Sequence, residues 1–316
     1  MHIPFRYKSA AIYHLDSLFC RVQFSAVLRK VHPDAIWLTF PELFDYLPRR
    51  LSVPVIYDCM DDNLAFGTQR RVLPLLADAE KRLCEKASVV FASSDHLLHV
   101  LQQRYGNDLP ATVVRNAYGG ERLDASVMSE RRPAKPSVVI GYIGTLAVVD
   151  RRTVLTMLDR IPEASFYAIG PIEPIYDGSD GKKDPVTLWC HERVTLLGPK
   201  PHEELYGLMK PVDCLIVPLK LSRLIESVDP IKMYEYVNYG KPIVSVYYPE
   251  LQRYRPYVDF YEDVDEVVNT IERLMAEGFP AKYTNSQRLE FLEQNSWSSR
   301  ASQVVDVLRN ILHADA

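Results

Sequence analysis

Short apolar runs alternate along this chain with stretches whose apolar positions recur at helical spacing. Residues 9–30 show the helical pattern first, with Arg21, Arg29 and Lys30 on the polar side. That pattern predicts an amphipathic helix packed on a core, in preference to one lying on a membrane surface. Residues 35–40 then form a continuous apolar run, typical of a strand buried on both faces of a parallel sheet. Strands of the same kind are predicted at 53–57, 88–94 and 112–116. Helices are predicted at 71–87 and after Ser94 or Asp95, either of which can cap a first turn. Such alternation implies βαβ units.

The pattern breaks at residues 117–136, which hold Gly119-Gly120 and a Pro133-Ala-Lys-Pro136 run and read as a domain boundary. It then restarts, with strands at 137–144, 165–170, 194–198, 213–219 and 243–247, the last of these the final strong strand of the chain. Helices fall at 150–158, from Pro201, and from Asp229; a polar loop spans 176–184, and the tail from 284 to 312 is helical with a break at Asn295-Ser296. The expected organisation is α/β: a first Rossmann-like lobe over 1–118, a second over 137–285, and a C-terminal helix over 286–316. Ligands of such sheets bind beyond the strand carboxyl ends.

Three second-lobe features fall at those ends. Gly141-Tyr-Ile-Gly144-Thr145 closes a strand where backbone amides can approach a phosphate, although glycine there is as often a simple turn, and it is not a dinucleotide fingerprint. Lys220 follows another strand, where a solvated lysine is the ordinary explanation. The third is Asp229-Pro-Ile-Lys-Met-Tyr-Glu-Tyr-Val-Asn-Tyr-Gly240, with Pro230 suited to a first helical turn and Gly240 to a left-handed stop. Lys232 and Glu235 share one helix face, either as a common surface ion pair or as a grip for a phosphorylated, hydroxyl-bearing ligand. In the first lobe Asp58, Asp61 and Asp62 crowd a strand end; they can supply a general base, hold a divalent metal, or favour a helix N-terminus. His14, His32, His96, His191 and His202 are scattered without metal spacing, and His202, at a helix start, is the one to watch.

Composition narrows the class. The chain has 316 residues, 47% hydrophobic and 25% charged, with a net charge of −4, which suits a globular protein of about two domains and argues against a nucleic-acid coat. Five cysteines without a Cys-x-x-Cys pair fit a reducing cytoplasm, and Cys84 and Cys214 read as small buried residues. No signal peptide pattern and no run long enough to span a bilayer is present in the sequence.

Together the pieces resemble the bacterial GT-B glycosyltransferases, group 1-like, that build teichuronic acid, capsule or other surface polysaccharides. Residues 55–62, 114–117, 140–145 with Asp150, 197–199, 213–220 and 229–244 carry the likeness, the last matching a Pro-x-Lys-x-x-Glu-Tyr … Gly-Lys-Pro-Val block. The resemblance implies a GT-B fold whose final helix returns to the first lobe, which here lacks its usual opening strands and glycine loop. It implies a donor site for a UDP- or GDP-linked sugar made by Gly144, Thr145, Lys220, Ser227, Asp229, Ile231, Lys232 and Glu235. In that site Lys232 faces the leaving phosphate and Glu235 the ribose. Asp61, with Asp58 beside it, would serve as base if the enzyme inverts. No metal or other cofactor is expected, because cations can neutralise the leaving diphosphate.

The acceptor implied is lipid-linked or polysaccharide, met at the inner face of the plasma membrane through peripheral contact around Arg21, Arg29 and Lys30, with no nucleic-acid partner. Retaining relatives often carry Glu-x7-Glu ending at the equivalent of Glu235. The first position is Ser227 here, with Glu226 and Asp229 nearby, so the sugar-contacting acid and the stereochemical class stay open. A catalytically inactive partner subunit and a sugar-nucleotide epimerase are the alternatives the same features allow.

Overall fold

A computed structural model describes residues 9–65, 72–128, 137–172 and 188–314, with side chains through residue 311. The expected loop at 176–184 and the Pro133–Pro136 run lie outside the described residues.

The first lobe carries a parallel four-stranded sheet in the order β1 (Ile36–Leu38), β2 (Val55–Cys59), β3 (Val89–Ala92), β4 (Ala111–Val113). One face buries Ile36, Leu38, Val55, Tyr57, Cys59, Val90 and Ala92 against α2 (Leu73–Lys86) and α3 (Asp95–Tyr105), through Leu83, Cys84, Leu97 and Leu101. Ser94 caps α3 by accepting from the Leu97 amide (3.0 Å), as its short hydroxyl allows. The other face, Ile56, Val89 and Phe91, is covered by Val304, Val307, Leu308 and Ile311 of α10 (Trp297–Ala314). The preceding helix, α9 (Asn285–Gln294), instead packs Phe291 and Leu292 into the second-lobe core. The crossing between lobes therefore falls at the Asn295-Ser296 break.

The first helix, α1 (Ala10–Val31), departs from expectation. Its inward side is largely polar: Tyr13, Asp16, Ser17 and Cys20 are buried. Tyr13 donates to Asp45 (2.9 Å), and Arg21 donates to the Asp45 carbonyl (2.8 Å), both in the 3-10 segment Pro41–Tyr46. Leu15, Leu18 and Val22 are 60%, 58% and 65% exposed. Hydrogen bonds to that segment, not burial of the apolar stripe, fix the rotation of this helix.

The second lobe has a parallel six-stranded sheet in the order β10 (Val258–Tyr261), β9 (Ile243–Val246), β8 (Cys214–Val217), β5 (Val138–Ile143), β6 (Ala164–Ile169), β7 (Val194–Gly198). All of β8 and β9 is buried, matching their apolar runs, which only Ser245 of β9 interrupts. β10 and the following α8 (Val264–Glu277) lie beyond the last strand expected from the sequence. From β5 the chain builds outward to β6 and β7, then crosses back to β8. The strand order reverses between β5 and β8, which opens a crevice beyond their carboxyl ends. Into this crevice run the β5 exit, the β8 exit and two helices, α6 (Arg223–Glu226) and α7 (Ile231–Asn238).

Candidate active site

Gly144 follows β5 with φ 142, and its amide donates to the Ile169 carbonyl (2.9 Å). A Cβ there would lie 2.8 Å from Lys232 Nζ and 3.0 Å from the Tyr142 hydroxyl. The missing side chain is thus what admits the lysine to the strand end. Gly170, after β6, has φ 143, and a Cβ on it would lie 2.0 Å from the Gly144 carbonyl oxygen. Two side-chain-free residues thus stand back to back at the strand end, their own amides donating to the Ile169 and Gly198 carbonyls (2.9 and 3.1 Å).

Lys232 and Glu235 sit on one face of α7, but no ion pair joins them; each has another partner. Lys232 Nζ donates to the Tyr142 hydroxyl (2.9 Å) and stands 4.6 Å from that ring's centroid. Tyr142 in turn donates to the Thr145 carbonyl (3.1 Å), linking the lysine to the loop after β5. The Ile143 amide donates to the Tyr236 hydroxyl (2.8 Å), which pins α7 against β5 one residue before Gly144. Glu235 Oε1 lies 2.9 Å from His202 Nε2, at the start of α5 (His202–Met209). Thr145 precedes the 3-10 turn Leu146–Val148, and the amide of exposed Lys220 donates to the Val148 carbonyl (2.8 Å). Ile231, 48% exposed, opens α7 after Pro230.

Gly144, Thr145, Lys220, Ile231, Lys232 and Glu235 are therefore gathered at the crevice. Ser227 and Asp229 are not at its surface. Ser227 is fully buried, donating to the Arg223 carbonyl (3.1 Å) and accepting at its own carbonyl from Ser94 of the first lobe (2.7 Å). Asp229, also buried, accepts from Tyr234 (2.6 Å), Tyr254 (3.0 Å) and the Asn116 amide (3.1 Å), and pairs with Arg253 (2.9 Å). Both hold the lobes together. Of the three positions weighed for the sugar-contacting acid, Glu226 alone is partly exposed.

The first-lobe aspartates separate in the same way. Asp62 is buried against Arg104 (2.6 Å) and lies 3.4 Å from Arg223 of the second lobe. Asp58 stands on the α10 side of the sheet and accepts from Trp37 Nε1 (3.1 Å); burial raises its carboxyl above the ordinary range, against the lowering effect of that bond. Asp61 is half-buried just beyond β2, and burial, then the neighbouring Asp62 charge, raises its carboxyl. The three carboxylates diverge, and no metal-binding cluster of His, Cys, Asp or Glu occurs among the described residues. Tyr142, Tyr236, Gly170 and the His202–Glu235 contact were not assigned to the site from sequence. Tyr142 lies inside the Gly-Tyr-Ile-Gly run, and Gly170 closes a strand, so both carried a local signal.

Comparison with solved structures decides the architecture. A sucrose-phosphate synthase from Thermosynechococcus elongatus covers 99% of this chain, and is itself covered over 81%, at 15% identity and a TM-score of 0.70. This is the GT-B fold. Anabaena HepE, solved with UDP, shares it at 16% identity and a TM-score of 0.63, over 90% of this chain and 81% of its own. In sequence, the GT-B chain is 25% identical over 315 residues to TuaH of Bacillus subtilis strain 168, which is assigned by name to teichuronic acid biosynthesis as a glycosyltransferase. That match covers 91% of this chain and 77% of the relative. No protein-family model matches.

Proposed function

We propose that this GT-B chain is a glycosyltransferase of cell-surface glycan synthesis. It takes a sugar from a UDP- or GDP-linked donor and passes it to a lipid-linked or polysaccharide acceptor. Lys232, set against the bare strand end at Gly144 and Gly170, is the observation that carries this reading. A cation at a topological switch point, beside a strand end that carries no side chain, suits a departing diphosphate and can serve where other transferases use a metal. Glu235 takes the ribose hydroxyls, Glu226 meets the sugar, a reading its partial exposure supports, and Asp61 serves as base if configuration inverts. The likeness to TuaH supports the product class, and the UDP held by HepE supports the donor class. Acceptor delivery at the cytoplasmic face of a membrane fits the apolar stripe and cations of α1; among the described residues no helix is long and apolar enough to cross a bilayer.

The test is Lys232→Ala, assayed with EDTA present and by calorimetry with UDP and GDP. Transfer should fall about 10²–10³-fold, the range for losing a single group that stabilises transition-state charge, and nucleotide affinity should drop with it. Unchanged transfer and affinity would remove Lys232, and this reading, from the chemistry.

A further inference from the structure

We infer that His202 is a positioning residue for Glu235, and that through it the protein selects a ribonucleotide donor. The inference rests on the donor-site reading above. Glu235 projects from α7 with its side chain only 15% exposed, whereas His202, on α5, is 59% exposed. Their Nε2 and Oε1 atoms are 2.9 Å apart. An Nε2–H on the imidazole donates to one carboxylate oxygen and fixes the plane of the carboxylate. The second oxygen is then left to accept from a sugar hydroxyl, with its direction set before the ligand arrives. Such pre-orientation lowers the ordering cost of binding.

Two features make His202 a prop rather than a passing surface contact. It is the first residue of α5, reached from β7 through Gly198-Pro199-Lys200-Pro201, where two fixed proline φ angles stiffen the approach. Glu235 is also surrounded by groups that do not take the place of His202: burial first, and the Glu235 charge second, raise the phenols of Tyr118, to about 12, and of Tyr239. Neither phenol hydrogen-bonds the carboxylate. The cation on the same helix face, Lys232, is committed to Tyr142. His202 is the one side chain that a hydrogen bond joins to the Glu235 carboxylate among the described residues.

The experiment compares affinities for UDP and GDP with those for their 2′,3′-dideoxy counterparts. Wild type should prefer the ribose form by about 10- to 100-fold, the range for a hydrogen bond to a charged group. Glu235→Ala should abolish that preference. His202→Ala and His202→Asn, which cannot reach Oε1, should cut the preference to a few-fold through weaker ribose-form binding alone, with an unchanged melting temperature. His202→Gln, whose amide nitrogen can stand near Nε2, should restore most of it. Full discrimination in both short variants, or equal losses for ribose and dideoxy forms, would overturn the role of His202. No discrimination in wild type, or its survival in Glu235→Ala, would overturn the donor-site reading beneath it.

Discussion

Three carboxylates within five residues meet three different fates, and the difference is set by what packs against each. Arg104 takes Asp62, Trp37 takes Asp58, and Asp61 is left partly sheltered beside the Asp62 charge. A carboxyl raised in that way is a better base than an ordinary one, because its conjugate acid lies closer to neutral pH. If the reaction inverts, activity should rise with pH through a midpoint above the usual Asp value of about 3.9. Asp61→Asn should then lose about 10²–10⁴-fold in transfer. Stability should move the other way. The folded pKa of Asp61 lies above its unfolded value, so the ionised form costs stability once pH rises through the folded pKa. The asparagine variant should therefore melt at or above wild type near neutral pH, and the difference should vanish under acid. A variant that transfers normally, measured alongside a melting scan at two pH values, would remove Asp61 from the mechanism. The sequence showed the crowd of aspartates but not the division among them, because Arg104 and Arg223 reach Asp62 only through tertiary packing.

At the scale of elements, the site is a set of strand ends held in register with one helix. Gly144 and Gly170 meet where β5 and β6 stop, and Tyr236 fixes α7 to β5, so Lys232 is delivered to Gly144 by packing rather than by ligand. Gly144→Ala would strain the backbone at φ 142 and push on Lys232 Nζ; residues in such conformations cost about 1–3 kcal/mol. Gly198→Ala is the control: its φ is 66, yet nothing lies within 4 Å of the added methyl. Both variants should melt lower than wild type, but calorimetry should show nucleotide binding weakened in the first and retained in the second. Equal affinity in the two would mean that the lysine does not depend on the bare strand end. Much of this level was legible in the sequence. The βα alternation, the glycine turn and the Lys232–Glu235 spacing all depend on local pattern. The ion pair that spacing allows does not form, because Tyr142 and His202 offer better-placed partners. The resemblance put Ser227 and Asp229 in the donor site because they stand at or beside the first position of the Glu-x7-Glu pattern that ends at Glu235. Ser94 and Asn116, more than a hundred residues earlier, bury them instead.

Across the whole molecule, the same polar contacts that remove Ser227 and Asp229 from the crevice join the two lobes, together with Arg115 on Glu250 (2.6 Å) and α10 over the first sheet. The lobes are thus tied on the crevice side while α1 faces outward. Its outward stripe is Leu15, Leu18 and Val22, its last turn carries Arg29 and Lys30, and Arg21 on the same helix borders a cleft of about 400 Å³ shared with Arg49 and Lys86. Exposed apolar groups of this kind mark interaction surfaces, and cations on the same helix match an anionic lipid surface at about 1 kcal/mol per residue. Since these side chains are exposed and the helix is held by Tyr13 and Arg21, replacing the stripe should leave the fold intact. Wild type should float with vesicles containing anionic lipid, less so as salt rises. Leu18→Glu with Val22→Glu should abolish flotation, and Arg29→Glu with Lys30→Glu should reduce it several-fold, all without a change in melting temperature or in nucleotide binding. Wild type that stays at the bottom of the gradient at low salt would rule out a lipid surface for this face. Flotation that survives both pairs of substitutions would place the contact elsewhere on the molecule.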